Sequence, residues 1–462
     1  MSTAGISFGG LASGLDTKAI ISALVGIEER PIRAMESKKA SFSKQKTMFG
    51  DLKGMLEKLS TAAKALKTTS DFLKMKAASD DENVLTATAS SSATPGSYTV
   101  RVNSLAKAQV RWTTGSASPT ATIGSVDTGL IITVDGQNHI IPTGNPPTLN
   151  SIASAVNSNA TTNEKVRAEV VDTGNLAGGG AQRYQLVLRS MVPGTANTFT
   201  VDMDEGGTEF QTLVTQMQSA PNTVAATDAS LTVNGINVTR STNQISDLFA
   251  GITLDLKSVP SPNKDITITI STDAEETSKK VQDFVDAYNK VVDFFAEQNV
   301  VDSAGKAKSA LFGDPTLRSM RSSLRTIVGG SVTGTGNEAY QLLSQMGIKS
   351  DTGGKLTFDK SKFETVLADD EAAVAAIFTE ATNGIAGRLE TQIKVYTDSV
   401  EGLIKSRTET FDRQVKDTQT RIDQAERRLT LYEKQLETKY ANLESLLSRL
   451  QSQGSSVGNI RR

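Results

Sequence analysis

A chain of 462 residues is long enough for about three domains, and its net charge of −2 gives it no overall preference for nucleic acid or an anionic membrane. It contains no cysteine, which excludes a disulfide framework, thiol chemistry and Cys-ligated zinc. Charge is unevenly placed. Residues 1–76 carry 13 Lys/Arg against 7 Asp/Glu, residues 77–273 carry 10 against 17, and residues 274–462 carry 26 against 27. A charge-poor middle between charge-rich ends predicts a domain of another class inserted between helical ends. No apolar run approaches the roughly 18–20 residues that span a bilayer, and the N-terminus has no basic stretch followed by an apolar core, so neither a membrane span nor a Sec-type signal is expected.

Residues 1–17 are small, Gly/Ser-rich and nearly uncharged, and are expected to be mobile. Asp16 or Thr17 then caps a short amphipathic helix through Ile20, Leu24 and Ile27, which Pro31 ends or restarts. A long helix is predicted from about residue 32 to 67. Its seam repeats every seven residues at Met35, Phe42, Phe49, Leu56 and Ala63, with Leu52, Leu59 and Leu66 alongside. From about residue 77 the period becomes two: VLTATA, YTVRV and AQVRWTT alternate, with a turn at Pro95-Gly96.

The middle also contains a repeat. Residues 231–256 read strand, Asn234-Gly235 turn, strand, capped short helix, strand. Residues 130–171 read the same way, with Asp135-Gly136 as the turn and Thr148 near the helix cap. Both dipeptides favour type I′ hairpins. Two β-rich units are therefore expected, the outer (111–225) inserted into the inner (77–110 with 226–273). A helix starting at Thr272 or Asp273 follows, with Val281, Phe284, Val285 and Tyr288 on one face. Gly313-Asp314-Pro315 opens another helix, Leu317 to Val328. A hairpin around Asp351–Gly354 leads to Asp359, a helix cap, and Asp369-Asp370 cap the next helix. The predicted final coil runs from about residue 405 to 452 and ends in a polar tail.

Nothing here assembles a catalytic or cofactor site. His139 is the sole histidine and reads as a hairpin residue, and the single Trp112 reads as a packed aromatic. Asp202, Asp204 and Glu209 resemble the start of a calcium loop, but Gly206 and the early Glu break the EF-hand pattern. Gly178-Gly179-Gly180 lacks the Lys-Ser/Thr of a P-loop. The chain is expected to be no enzyme, with no cofactor and no metal.

The signal above background is the coil. Val415, Ile422, Leu429, Leu436, Leu443 and Leu450 fall on one line at seven-residue spacing. In a parallel coil between identical chains, Arg421 would face Glu426 and Arg428 would face Glu433. An intramolecular hairpin with the N-terminal helix accounts for the same heptads. The companion line of Thr418, Ala425, Tyr432 and Lys439 is weak, which argues for a helix that depends on a partner.

At this point the chain resembles the flagellar filament cap (hook-associated protein 2, FliD) family. The opening GISFGGLASGLDTKAIISALVGIEERPIRAMESKK, the segment SYTVRVNSLAKAQ, VNGINVTRSTNQISDLFAGITLDLK, ALFGDPTLRSMRSSL and MGIKSDTGGKLTFDKSKFETVLADDEAAVAAIF carry the resemblance, in family order. It implies an α+β multidomain fold: long helical or coiled-coil ends forming a stalk, and two inserted β-rich head domains. The expected parts are a mobile docking segment (1–40), a stalk (41–76 with 274–404), the two heads, and a coiled coil with tail (405–462). The resemblance also implies a secreted protein, exported without a cleaved signal, that forms a homo-oligomeric ring at the filament tip and inserts flagellin subunits. Contacts to filament or sister subunits are expected at Leu15, Ile20, Leu24, Val415, Ile422, Leu429, Leu436, Leu443 and Leu450. Further implied partners are a cytoplasmic export chaperone at the C-terminal helix and host surface glycans. Two alternatives are weighed: a surface adhesin with a variable β head, and another axial protein such as a junction protein or flagellin-like subunit.

Overall fold

The computed structural model describes residues 16–124, 129–175, 182–204 and 206–459, with side chains through residue 453. Leu15 and Gly178–Gly180 lie outside the described residues. The chain forms two compact units, a helical one from both ends of the sequence (to Phe72 and from Ala274) and a β-rich one spanning Leu73–Asp273.

Helix α1 (Thr17–Lys64) opens on Asp16, whose carboxylate accepts from the Ala19 amide at 2.9 Å. It runs unbroken through Pro31, against the expectation of a break there. Proline removes one backbone donor and crowds the preceding turn at a cost of about 3 kcal/mol. Ile32, directly after it, is buried, and that burial is worth about 1.5–3 kcal/mol against the cost. The boundary drawn at residue 40 therefore falls inside a continuous helix. A single-turn helix α2 (Thr69–Phe72) follows, with the Thr68 hydroxyl accepting from the Asp71 amide.

The β unit has two separate cores. Strands β1 (Met75–Ser79), β2 (Leu85–Ala89) and β3 (Gly96–Ser104) do not pair with one another. Next come β4 (Val110–Trp112), β5 (Gly129–Val134), β6 (Gln137–Pro142), α3 (Leu149–Ser158), β7 (Val166–Asp172), β8 (Tyr184–Ser190), β9 (Phe199–Met203), α4 (Thr208–Gln218) and β10 (Thr223–Val224). The unit closes with β11 (Ala229–Val233), β12 (Ile236–Arg240), β13 (Gln244–Phe249), β14 (Ile252–Leu256) and β15 (Ile266–Thr272). The early strands find their partners late: sheets β1-β15-β3-β11-β12 and β13-β14-β2 enclose Val100, Val102, Leu231, Leu254 and Ile268. The residues between build the other core. Sheets β10-β4-β8-β7 and β6-β5-β9, with α3 and α4, surround Leu130, Ile132, Leu188, Phe199 and Phe210.

The repeat is visible atom by atom. Asp135 and Gly136, and Asn234 and Gly235, all have positive φ, as a type I′ turn requires. The Thr133 hydroxyl bonds the Asn138 side chain at 2.9 Å, and Thr232 bonds Asn237 at the same distance. The copies diverge at the third element. Residues 149–158 form a helix with a Thr148–Ser151 capping box and bury Leu149, Ile152 and Val156. Residues 244–249, expected as a short helix, form β13 instead and pair with β14 across a bulge. Six residues are too few to repay helix nucleation when an open strand edge lies beside them. Gly251 (φ +74°) makes the return, and a Cβ there would stand 2.5–2.7 Å from the Ser92 and Ser90 hydroxyls and the Ala93 amide. We expect Gly251→Ala to cost about 1–3 kcal/mol, read as a lowered midpoint in thermal unfolding, whereas Gly235→Ala, with open space around it, should cost less.

In the outer core, β7 and β8 end in a bidentate pair, Arg183 Nε and Nη2 on Asp172 at 2.7–3.0 Å. Arg183 chiefly, helped by the Gly174 amide, holds the Asp172 carboxyl at about 2. Because the folded value lies below the unfolded one, this pair's stabilisation is present above the ordinary carboxylate range near 4 and fades as pH falls toward about 2. A carboxyl NMR titration should give Asp172 a midpoint near 2, and Arg183→Gln should return it upward. An unchanged midpoint in that variant would remove Arg183 as the cause.

The helical unit resumes with α5 (Ala274–Glu297) and α6 (Pro315–Gly329). Asp314 caps α6, accepting from the Thr316 and Leu317 amides. The hairpin β16 (Ile348–Ser350) and β17 (Leu356–Phe358) turns at Asp351–Lys355. Helices α7 (Lys360–Asp369) and α8 (Glu371–Thr379) are capped by Asp359 and Asp370, and α9 (Ile385–Thr397) follows. Helix α10 runs from Leu403 to Asn459. It takes in the stretch expected as a polar tail, because an established helix propagates without needing an apolar seam.

Candidate assembly surface

The two heptad seams meet within the chain. Lys39 Nζ donates to Gln419 Oε1 at 2.5 Å, and Lys46 Nζ bonds Asp412 Oδ1 at 2.6 Å. The contacts are one heptad apart on each helix and run in opposite order, so α1 and α10 form an antiparallel hairpin. Of the two arrangements left open by the sequence, the chain forms the intramolecular one. Ile422 and Leu436 on the predicted line are buried, while Val415 and Leu429 are half-buried. Ile20 and Leu24 on α1 are half-buried as well.

A cation holds the base of this hairpin. The Arg407 guanidinium of α10 lies 5.7 Å from the centre of the Phe49 ring of α1 and 5.3 Å from that of Phe411. Its Nη2 bonds Asp314 Oδ2 at 2.7 Å, and that carboxylate's other oxygen caps α6. One side chain thus ties α10 to α1 and α6. The sequence offered Phe49 as a seam residue and Asp314 as a helix start. It gave no local signal for Arg407, whose partners are hundreds of residues away.

The far end of α10 is different. Carrying the Lys39–Gln419 register back to Thr17 brings α10 to the neighbourhood of Ala441. Beyond that point Leu443, Leu446 and Leu450 are 42, 58 and 53% exposed. Their spacing puts them on one face of the helix. Leu446 was not singled out from the sequence, although it continues the companion line of Thr418, Ala425, Tyr432 and Lys439 by one more heptad. The candidate inter-chain residues Arg421, Glu426, Arg428 and Glu433 are all exposed, and none forms an ion pair among the described residues.

Other candidates are placed plainly. His139 sits half-buried on β6 opposite Ile132, and Trp112 is half-buried at the end of β4. Asp202 lies on β9, Asp204 just beyond it and Glu209 in the first turn of α4. No cluster able to hold a metal ion occurs among the described residues, and no helix among them is long and apolar enough to cross a membrane.

Comparison with known proteins gives the same layout a family. A model of the flagellar hook-associated protein 2 N-terminus matches residues 13–109, and one of the C-terminus matches residues 226–452. The B-type flagellar hook-associated protein 2 of Pseudomonas aeruginosa is 27% identical over 98% of this chain and 97% of its own. The flagellar hook-associated protein 2 of Escherichia coli K12 is 29% identical over the same shares. The crystal structure of the D1-D2-D3 domains of the flagellar cap protein FliD from Escherichia coli superposes with a TM-score of 0.63, at 29% identity, over 79% of this chain and 99% of that one. The stretch between the two family matches is the outer β core, which the family models leave unmatched and the relatives aligned over 98% of this chain span. With both ends matched in order and the fold shared with a solved relative, the chain belongs to the flagellar hook-associated protein 2 (FliD) family.

Proposed function

We propose that this protein is the structural cap at the distal end of the bacterial flagellar filament, where a homo-oligomeric ring promotes insertion and folding of exported flagellin and prevents its loss. It is secreted and works at the flagellar tip, and its role is mechanical, not catalytic. The observation that carries the docking part of this reading is the leucine face at the end of α10. An apolar stripe that its own hairpin leaves uncovered is a surface waiting for another helix. Docking there, with Leu15 and with Ile20 and Leu24 of α1 taking part, would join cap to filament. Its small size suits reversible attachment, since a cap that advances with each added subunit must release as well as bind. The exposed Arg421, Glu426, Arg428 and Glu433 are available to pair with a neighbouring subunit, and the same end of α10 would receive an export chaperone before secretion. The β unit is the natural place for any surface glycan.

Immunogold electron microscopy with antibody raised against residues 77–273 tests the assignment. Label at filament tips is the expected result. Label along the shaft or at the hook would make this another axial protein, and label confined to the cell body would favour an adhesin.

A further inference from the structure

The outer β core joins the inner one through two stretches of chain, residues 105–109 going out and 225–228 coming back. They pair at Lys107 and Thr227, whose backbones exchange hydrogen bonds of 2.8 and 3.1 Å. The outgoing stretch is fastened at both ends. On the inner side the Asn243 side chain accepts from the Ala106 N–H at 2.7 Å and donates to its carbonyl at 3.0 Å. On the outer side the buried Gln109 accepts from the Phe199 amide at 2.7 Å, and its own N–H donates to the Ser190 hydroxyl at 3.0 Å. Bending of this stretch is therefore confined to Lys107 and Ala108. Two cores joined by so narrow a connection move relative to each other by default, unless something further holds them.

A third segment, the outer-core loop between β8 and β9, meets the connection at that bending point. The Gly194 N–H donates to the Lys107 carbonyl at 3.1 Å, so this one oxygen accepts from the returning stretch and from the loop. Thr195 donates from its N–H to Asp228 Oδ1 at 2.6 Å and from its hydroxyl to Oδ2 at 2.7 Å. Both oxygens of one carboxylate are thus engaged by one residue, which fixes direction as well as distance. Gly194 has φ +97°, and a Cβ there would stand 2.4–2.6 Å from the carbonyl oxygen, Cβ and Cα of Ser241. Ser241 directly follows β12 of the inner core. Glycine alone permits both that backbone conformation and that approach. Asn197 holds the loop in shape, its N–H donating to the Gly194 carbonyl at 3.0 Å and its side chain to the Pro193 carbonyl at 2.8 Å. Thr195 is exposed and Asp228 half-buried, so their contact belongs to the joint and not to either core. We propose that the Gly194–Thr195 loop is a bolt across this hinge: while it is engaged the outer core is carried as a rigid extension of the inner one, and when it is drawn the outer core swings about Lys107 and Ala108.

The chain has no cysteine, so spin labels can be placed on the full-length protein by Lys76→Cys on β1 and Ser154→Cys on α3, both exposed positions. Electron–electron double resonance then reads the distance between the inner and outer cores, with excess unlabelled chain added so that only pairs within one chain contribute. With the bolt intact the distribution should be single and narrow. Asp228→Ala, which removes the acceptor of both Thr195 bonds, should broaden it roughly twofold or more. Gly194→Ala, which forces the loop off Ser241, should do the same. Fluorescence of Trp112 on β4 monitors folding of the outer core, and its melting transition should stay in place in Asp228→Ala. A broad distribution in the otherwise unchanged protein would overturn the bolt, as would two variants that both remain as narrow as their parent. Broadening found only where the Trp112 transition also falls would make the loop a stabiliser of the outer core and would overturn it equally.

Discussion

Replacing Arg407 with alanine should be among the most damaging single changes in the helical unit, at about 2–4 kcal/mol of unfolding free energy. Three losses coincide. Phe49 and Phe411 lose the cation between them, each contact being worth about 0.5–1 kcal/mol where partly exposed. Asp314, whose side chain is only 9% exposed, is left without its counter-charge. The stem that fills the space between α1 and α10 also disappears. Arg407→Met restores the stem but not the charge and should recover part of the loss. Asp314→Asn keeps an N-cap for α6 and should cost less than the arginine truncation. The two units supply separate readouts. Far-UV ellipticity follows the helices, whereas fluorescence of the sole tryptophan, Trp112, follows the outer β core. The expected result is a lowered helical transition with the Trp112 transition unmoved. A loss below about 0.5 kcal/mol, the range of ordinary surface substitutions, would mean that Arg407 is a bystander.

That clamp also shows what the sequence could and could not disclose. Local rules were enough for the Asp16, Thr148, Asp359 and Asp370 caps, because a cap is set by residues three apart. They were enough for the two type I′ turns, where only a few residue types tolerate positive φ. The seven-residue seams marked helices that need partners. A heptad specifies a contact face, however, and not which helix fills it, so the antiparallel α1–α10 hairpin became clear only with Lys39 beside Gln419. Pro31 was misleading because its penalty is small against a long helix–helix interface. Residues 244–249 were misleading because Ile245, Leu248 and Phe249 satisfy a helical spacing as well as a strand one. The Arg407 clamp joins residues from distant segments, and no local pattern could have announced it.

Charging the leucine face of α10 should abolish capping while leaving the protein folded. Leu443, Leu446 and Leu450 are exposed, so changing all three to Asp removes no core and should shift the thermal midpoint by little. Docking is another matter. Each buried leucine contributes about 1.5–3 kcal/mol at a fully desolvated contact, and each introduced carboxylate would have to be desolvated in turn. A cell carrying only this variant should release flagellin into the medium as monomer and bear few or no filaments, and purified variant added from outside should fail to restore them, which separates lost capping from lost export. Leu436→Asp makes the informative contrast. Leu436 is 9% exposed inside the α1–α10 hairpin, so charging it should lower helical stability as well as capping. Its effect on docking alone therefore cannot be isolated, whereas the outer triple change separates the two. Normal filaments on the triple variant would show that the end of α10 is not the filament contact and would move the search to Ile20 and Leu24 of α1. Lost capping with an unchanged melting curve would assign the contact to the part of α10 that extends past its own partner helix.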